Sequence, residues 1–223
     1  MILSSLITSC TNNTIDLSLF EKIDAKNLSN LKLKRVENQV GSWKYNNEKE
    51  DVELEKNNKF CKIFYINNKE EINQLNFSNL KIDKSSGSKI IVYDDKVSFF
   101  KLNFIDNETF TSLKFLKEKL GNDFKSFKKP LSVDGYHGQI NILKNEQNNE
   151  FDFMDDDIEG KVAVFSDFYY WDKKDFIVTY RIGLTRDGFS NNIIFTTKKA
   201  LKDKIVFGYH NIENDPYLKN IKL

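Results

Sequence analysis

Past residue 130 the chain is written in runs of β-branched and aromatic residues, at 139–143, 151–154, 162–170, 176–183, 193–197 and 205–209, with short polar breaks between them. Runs of that length suit strands and are short for buried helices. The breaks include Asp172-Lys173-Lys174-Asp175 and Arg186-Asp187-Gly188, residue types that reverse a chain within a few positions. Strands joined so tightly run antiparallel, because a parallel crossover needs a dozen residues or more. An antiparallel sheet is therefore the frame into which everything else must fit.

The first half supplies further strand runs at 60–66, 89–93 and 96–104, the last two joined by the hairpin signal Asp94-Asp95. One helix is clear over 108–120. Asp106 or Asn107 opens it, Gly121 closes it, and Phe110, Leu113, Leu116 and Leu120 share one face. A short N-terminal helix is expected at the capping box Ser18-Leu19-Phe20-Glu21, burying Leu19, Phe20 and Ile23. Asn68-Lys69-Glu70-Glu71 caps one or two further turns through Leu75. The expected fold class is α+β, a mainly antiparallel β-sheet with the 108–120 helix packed on one face. Residues 18–223 are expected to form one domain, with a subdivision near Pro130 as the alternative. The polar stretch 45–59 offers a weak strand at Val52 and Leu54.

Composition removes several function classes. At 39% hydrophobic and 30% charged, 223 residues read as a globular chain able to bury a core. The formal charge is +1 and arginine occurs only at Arg35, Arg181 and Arg186, which argues against nucleic acid, whose readers lean on arginine forks and a basic surface. No nucleophile elbow, HExxH or P-loop is present. His137 and His210 have no ligand-spaced neighbours, so no zinc site and no catalytic residue is assigned. Cys61, within Phe60-Cys61-Lys62-Ile63-Phe64-Tyr65, is expected to act as a small core hydrophobe.

At the N-terminus, Ile7-Thr8-Ser9-Cys10 places an aliphatic residue and two small residues before a cysteine, in a stretch without charge before Asp16. It resembles the end of a bacterial lipoprotein signal. That resemblance implies cleavage after Ser9, a lipid on the Cys10 thiol, and a chain tethered to a membrane of the bacterial cell envelope on its periplasmic or surface side. Residues 1–10 are then a truncated signal and 11–17 a spacer, of which Thr11-Asn12-Asn13-Thr14 is small and polar. A signal also needs a basic start, and no lysine precedes Lys22, so an in-frame start upstream of Met1 is expected to complete it. The alternative is a cytoplasmic protein in which Cys10 is a buried thiol. No later segment approaches the roughly 20 apolar residues of a membrane span.

The foremost candidate site is the acidic run Phe151-Asp152-Phe153-Met154-Asp155-Asp156-Asp157-Ile158-Glu159-Gly160. Asp152, Asp155, Asp156, Asp157 and Glu159 form a patch suited to a basic protein partner. Asp155, Asp157 and Glu159 before Gly160 also resemble the start of an EF-hand calcium loop, but Ser166 stands where a bidentate Glu is needed, so calcium is the weaker reading beside a plain solvated hairpin. Lys114, Lys117, Lys119, Lys125, Lys128 and Lys129 form an opposite face, a soluble helix exterior with lysines near its C-terminal dipole or a surface toward anionic lipid. Tyr170 and Trp171, in Phe168-Tyr169-Tyr170-Trp171, are contact residues if that strand has one wet face, and core residues if both faces are covered. Gly41-Ser42-Trp43 resembles the Gly-x-Trp that opens lipocalin-like domains.

The expected function is that of an envelope-anchored lipoprotein binding another protein through the acidic loop, in the form of an immunity-type inhibitor of a toxin or hydrolase. The partners are an unidentified protein and, through the lipid, a membrane. Two alternatives stand beside it. One is a ligand- or sugar-binding β domain using Trp43, Tyr170 and Trp171; the other is a hydrolase assembled from distant segments.

Overall fold

Strand-forming runs dominate the computed structural model, which describes residues 14–29, 31, 35–36, 61–66, 69–158 and 160–203. The strands are β1 (Ile15–Asp16), β2 (Arg35–Val36), β3 (Cys61–Ile66), β4 (Leu75–Asn76), β5 (Ser88–Tyr93), β6 (Lys96–Leu102), β7 (Lys125–Ser132), β8 (Asp152–Asp156), β9 (Gly160–Asp172), β10 (Phe176–Thr185) and β11 (Gly188–Thr197). The helices are α1 (Ala25–Ser29), α2 (Lys69–Ile72), α3 (Thr109–Leu120), α4 (His137–Glu146) and α5 (Lys198–Lys202). The fold is α+β. Its main sheet runs β2-β3-β5-β6-β11-β10-β9-β7, every neighbour antiparallel, with β8 attached to β9 off that path. β1 and β4 form a separate parallel pair.

The turns follow from local chemistry. Asp94 and Asp95 both take positive φ, 54° and 56°, as a two-residue type I′ hairpin demands, and aspartate tolerates that region better than most residues. β10 and β11 pair without a shift from Phe176↔Thr197 to Thr185↔Gly188. Strands from both sides of Pro130 share this sheet, since β6 pairs with β11.

On one face of the sheet, rings fill the core. Phe100 and Phe195 are cross-strand partners stacked at 5.1 Å, and Phe20, Phe77 and Phe176 close around them. α3 covers the same core with Leu113, Leu116 and Leu120. A chain of buried polar contacts fixes where α3 docks. Tyr180 OH donates to the Thr109 carbonyl at 2.8 Å and lies 2.7 Å from Ser112 Oγ. Asn191 accepts from Phe104 N–H at 2.8 Å and donates to Phe104 O and Thr109 Oγ1 at 3.2 and 2.8 Å. Polar groups this deep are tolerable only because each finds a partner.

β9 is the longest strand and carries two partners on one edge. β10 pairs with its residues 168–172 and β8 with its residues 160–164, while β7 runs along the other edge. In the gap between β8 and β10, the Gln147 side chain takes the place of a strand: its Nε2 donates to Ser166 O at 2.8 Å and its Oε1 accepts from Ser166 N–H at 3.2 Å. Beside it, Glu150 pairs with Lys117 at 2.8 Å, and Lys117 sits 4.8 Å over the Phe124 ring and 4.9 Å over the Tyr169 ring. Burial alone would raise the Glu150 pKa, but the Lys117 ammonium and the nearby Tyr169 and Ser166 hydroxyls together hold it below the usual glutamate value. Neither hydroxyl closes a hydrogen bond of normal geometry to Glu150 Oε2.

Five expectations are corrected. Residues 139–143 are not a strand but the middle of α4, because Ile140 and Leu143, one helical turn apart, are the positions that bury, while Ile142 points outward. Residues 125–132 are not part of a helix exterior but strand β7, whose Pro130 is tolerated because an edge strand can leave its nitrogen side unpaired. The cap of the first helical turn, Leu17–Lys22, is Asp16, whose carboxylate accepts from Ser18 N–H at 2.9 Å; Ser18 is buried and Leu19 faces solvent. The packed chain also starts before residue 18, since Ile15 and Leu17, placed in the spacer, are core residues. α3 begins after a 3-10 turn, Asp106–Glu108, and Asp106 does not cap it: its carboxylate accepts from Phe189 N–H at 2.6 Å. The strand expected at 205–209 and the weak one at Val52 and Leu54 lie outside the described residues.

Two outcomes test this account. Asn191→Ala strips three buried hydrogen bonds and leaves both Phe104 backbone groups unpaired, so urea unfolding should show a loss of about 3 kcal/mol, against about 1 kcal/mol for Tyr180→Phe. A loss under about 0.5 kcal/mol at Asn191 would overturn the docking role. For Glu150, the lowered folded-state pKa contributes stability that is present above about pH 4.3, the unfolded value, and lost as pH falls through the folded value. The stability gap between the wild type and Glu150→Gln should therefore narrow as pH falls below that value; a gap constant from neutral pH to pH 3 would refute it.

Candidate functional site

The acidic run folds as the hairpin of β8 and β9. Asp156 pairs with Gly160 across the turn, Gly160 takes φ 72°, and Ile158 N–H donates to the Asp156 carboxylate at 2.9 Å. A glycine suits that left-handed position because a Cβ there is strained. Asp152, Asp155 and Asp156 stand on β8, Asp157 stands in the turn, and all four are exposed; Glu159 lies outside the described residues.

Apolar side chains stand among these carboxylates. Met154, on β8 among aspartates and Phe153, is 48% exposed, and Ile158, in the turn after Asp157, is 93% exposed. Phe153 packs edge-on against Phe151 at 5.1 Å, and Lys161, the cross-strand partner of Asp155, lies 4.8 Å over the Phe153 ring. Between this ring and α4 is a hollow of about 250 Å³, lined by Val133, His137, Ile140, Asn141 and Lys161. Among the described residues β8 pairs with β9 alone, so its other edge presents backbone N–H and C=O groups. An open strand edge, apolar side chains and flanking carboxylates are what an extended basic segment of a protein needs in order to dock. The apolar members escaped the charge-based reading; their signal was three hydrophobic residues inside a run too acidic to be core.

The loop does not have the form of an EF-hand. EF-hand geometry needs helices on both sides, whereas here strands flank the turn. Among the described residues no three His, Cys, Asp or Glu side chains converge as a metal-binding group.

Tyr170 and Trp171 are not surface contacts. Both faces of the sheet are covered where they lie: Tyr169 and Trp171 enter the main core with Phe124, and Tyr170 joins Phe168, Ile177, Phe127 and Leu201 on the other side. Trp171 Nε1 donates to the Gly121 carbonyl at 2.9 Å, which satisfies the indole at the end of α3. Burial, with the Asp172 charge beside it, pushes the Tyr170 phenol above its usual range.

The lysine face is divided. Lys117 is committed to Glu150, Lys114 and Lys119 stay exposed on α3, and Lys125, Lys128 and Lys129 project from β7. His137 is the first residue of α4 and exposed. Cys10, Trp43 and His210 lie outside the described residues, and of Cys61 the backbone, at the start of β3, is described.

Comparison with family models, with curated proteins and with solved structures returns no match. Among the described residues no helix is long and apolar enough to cross a membrane.

The burial of Trp171 has a direct consequence. In a Trp43→Phe background its fluorescence should be blue-shifted and resist iodide, and Trp171→Ala should cost about 3–5 kcal/mol of stability. Ready quenching, with little change in stability, would return Trp171 to the surface.

Proposed function

We propose that this protein is a binding module for another protein, held at a bacterial envelope membrane by lipid on Cys10, with the β8–β9 hairpin as its contact surface. An immunity-type inhibitor of a toxin or hydrolase is the particular form favoured. The observation that carries the reading is the hairpin itself: Met154, on a strand with an open edge, and Ile158, in the turn that follows, stand in solvent beside Asp152, Asp155, Asp156 and Asp157. Solvated apolar side chains rimmed by charge match the anatomy of an interface, in which anchors supply affinity and the rim supplies orientation. The absence of a catalytic motif in the sequence leans the same way. The ligand-binding alternative through Tyr170 and Trp171 loses its support, because both rings are spent on packing.

The test is capture by the full chain from its native host after cross-linking. A partner recovered with the wild type should fall about tenfold with Asp155→Lys, Asp156→Lys and Asp157→Lys combined, and should fall similarly at high salt, as steering by exposed charge requires. Recovery unchanged by the charge reversal would remove the hairpin as the contact. Intact mass of the mature protein tests the tether: an acylated Cys10 at the N-terminus is expected, and an unmodified thiol would end that part of the proposal.

A further inference from the structure

A second concavity, of about 670 Å³, opens on the far side of α4, bounded by the start of α3 and by the turn joining β10 to β11. This is within the range of roughly 300–1,000 Å³ over which small-molecule sites occur. It is separate from the hairpin surface and needs none of the argument made for it.

The cleft has an aromatic floor. Phe110 from α3 and Phe189 from β11 meet at right angles with centroids 5.1 Å apart, and Ile142 from α4, 45% exposed, faces the same space. Above that floor the charge is uneven: Asp106, Glu146 and Asp187 line the cleft against Lys114 alone. An excess of carboxylates lining a concave surface creates a potential that draws cations, and ring faces attract cations as well.

The walls are also fixed in place. Gln139 Nε2 donates to both the Thr185 and Arg186 carbonyls, at 3.3 and 3.0 Å, tying α4 to the end of the β10–β11 hairpin. Asp106 is held by Phe189 N–H at 2.6 Å, and its carboxylate occupies the space that a Cβ at Gly188 would need. Gly138, on the α4 wall, has nothing within 4 Å of the position its Cβ would take, so the cleft is open there. A site whose walls are set in advance loses little freedom on binding.

We infer that this cleft binds a small ligand with a flat apolar body and a cationic head, of the arylalkylamine or arylalkylguanidine class. The ring lies against Phe110, Phe189 and Ile142, and the ammonium or guanidinium sits among Asp106, Glu146 and Asp187.

Three probes that share one ring and differ in charge decide the matter: tryptamine, its neutral alcohol tryptophol, and indole-3-acetate. In amide-resolved NMR titrations of the full chain, tryptamine should shift residues 107, 111, 142 and 188 saturably, with tryptophol about tenfold weaker and the anion weaker again. Glu146→Gln with Asp187→Asn should reduce tryptamine to the tryptophol level. Both positions are solvent-exposed, so folding is preserved. Gly138→Leu, which fills the open wall, should abolish both signals. Equal binding of the three probes, shifts confined to other residues, or no saturation by about 10 mM would overturn the inference.

Discussion

Two hydrogen bonds between the Gln147 side chain and the Ser166 backbone let the longest strand change neighbours without leaving buried backbone groups unpaired. β9 leaves β10 after Phe168 and takes β8 as its neighbour from Val164 onward. Between those points Ser166 would have an unpaired amide and carbonyl in a buried place, at a cost of about 1–3 kcal/mol for each group. One primary amide, with a donor and an acceptor side by side, answers both. Because a side chain does this, no strand is needed in the gap, and α4 can lead into it. The two concavities described above lie on flanks of α4, beside the place where β9 parts from β10.

α3 is placed by a related device. Leucines give it an apolar face, but apolar contact alone does not fix how far a helix slides along a sheet. Tyr180 and Asn191 do, since their bonds to Thr109, Ser112 and Phe104 close at a single position. Phe20 shows the tension this packing can sustain. Its backbone is at φ 52° and ψ −117°, a conformation that costs roughly 1–3 kcal/mol for a residue with a side chain. Its ring lies within 6.2 Å of Phe77, Phe100, Phe176 and Phe195, and that aromatic shell offsets the strain.

What the sequence discloses tracks how local the cause is. The Asp94-Asp95 turn, the β9–β10–β11 meander and the body of α3 follow from neighbours a few residues apart, and each is where its pattern puts it. α4 and β7 are not local. Gln139-Ile140-Asn141-Ile142-Leu143 has the β-branched content of a strand and becomes helix because the gap beside β9 admits one. Lys125 to Ser132 has the charge of an exterior and becomes a strand because β9 has an edge to pair. The candidate sites divide in the same way. Exposure of the aspartates was readable from charge density, while the burial of Tyr170 and Trp171 depends on what covers the second face. The cleft beside Phe110 gathers residues from three separate segments, and no spacing along the chain announces it.

The two strands flanking β9 bear differently on what the chain does when crowded. A sheet that ends in an open strand is a template for further strands, and copies of one protein at high concentration are the nearest supply. Pro130 deprives the β7 border of one ladder donor, and Lys125, Lys128 and Lys129 repel a like strand. β8 lacks a proline, yet two copies of Asp152, Asp155 and Asp156 laid side by side would oppose charge to charge. Charge on both strands thus discourages the molecule from polymerising on itself through either border.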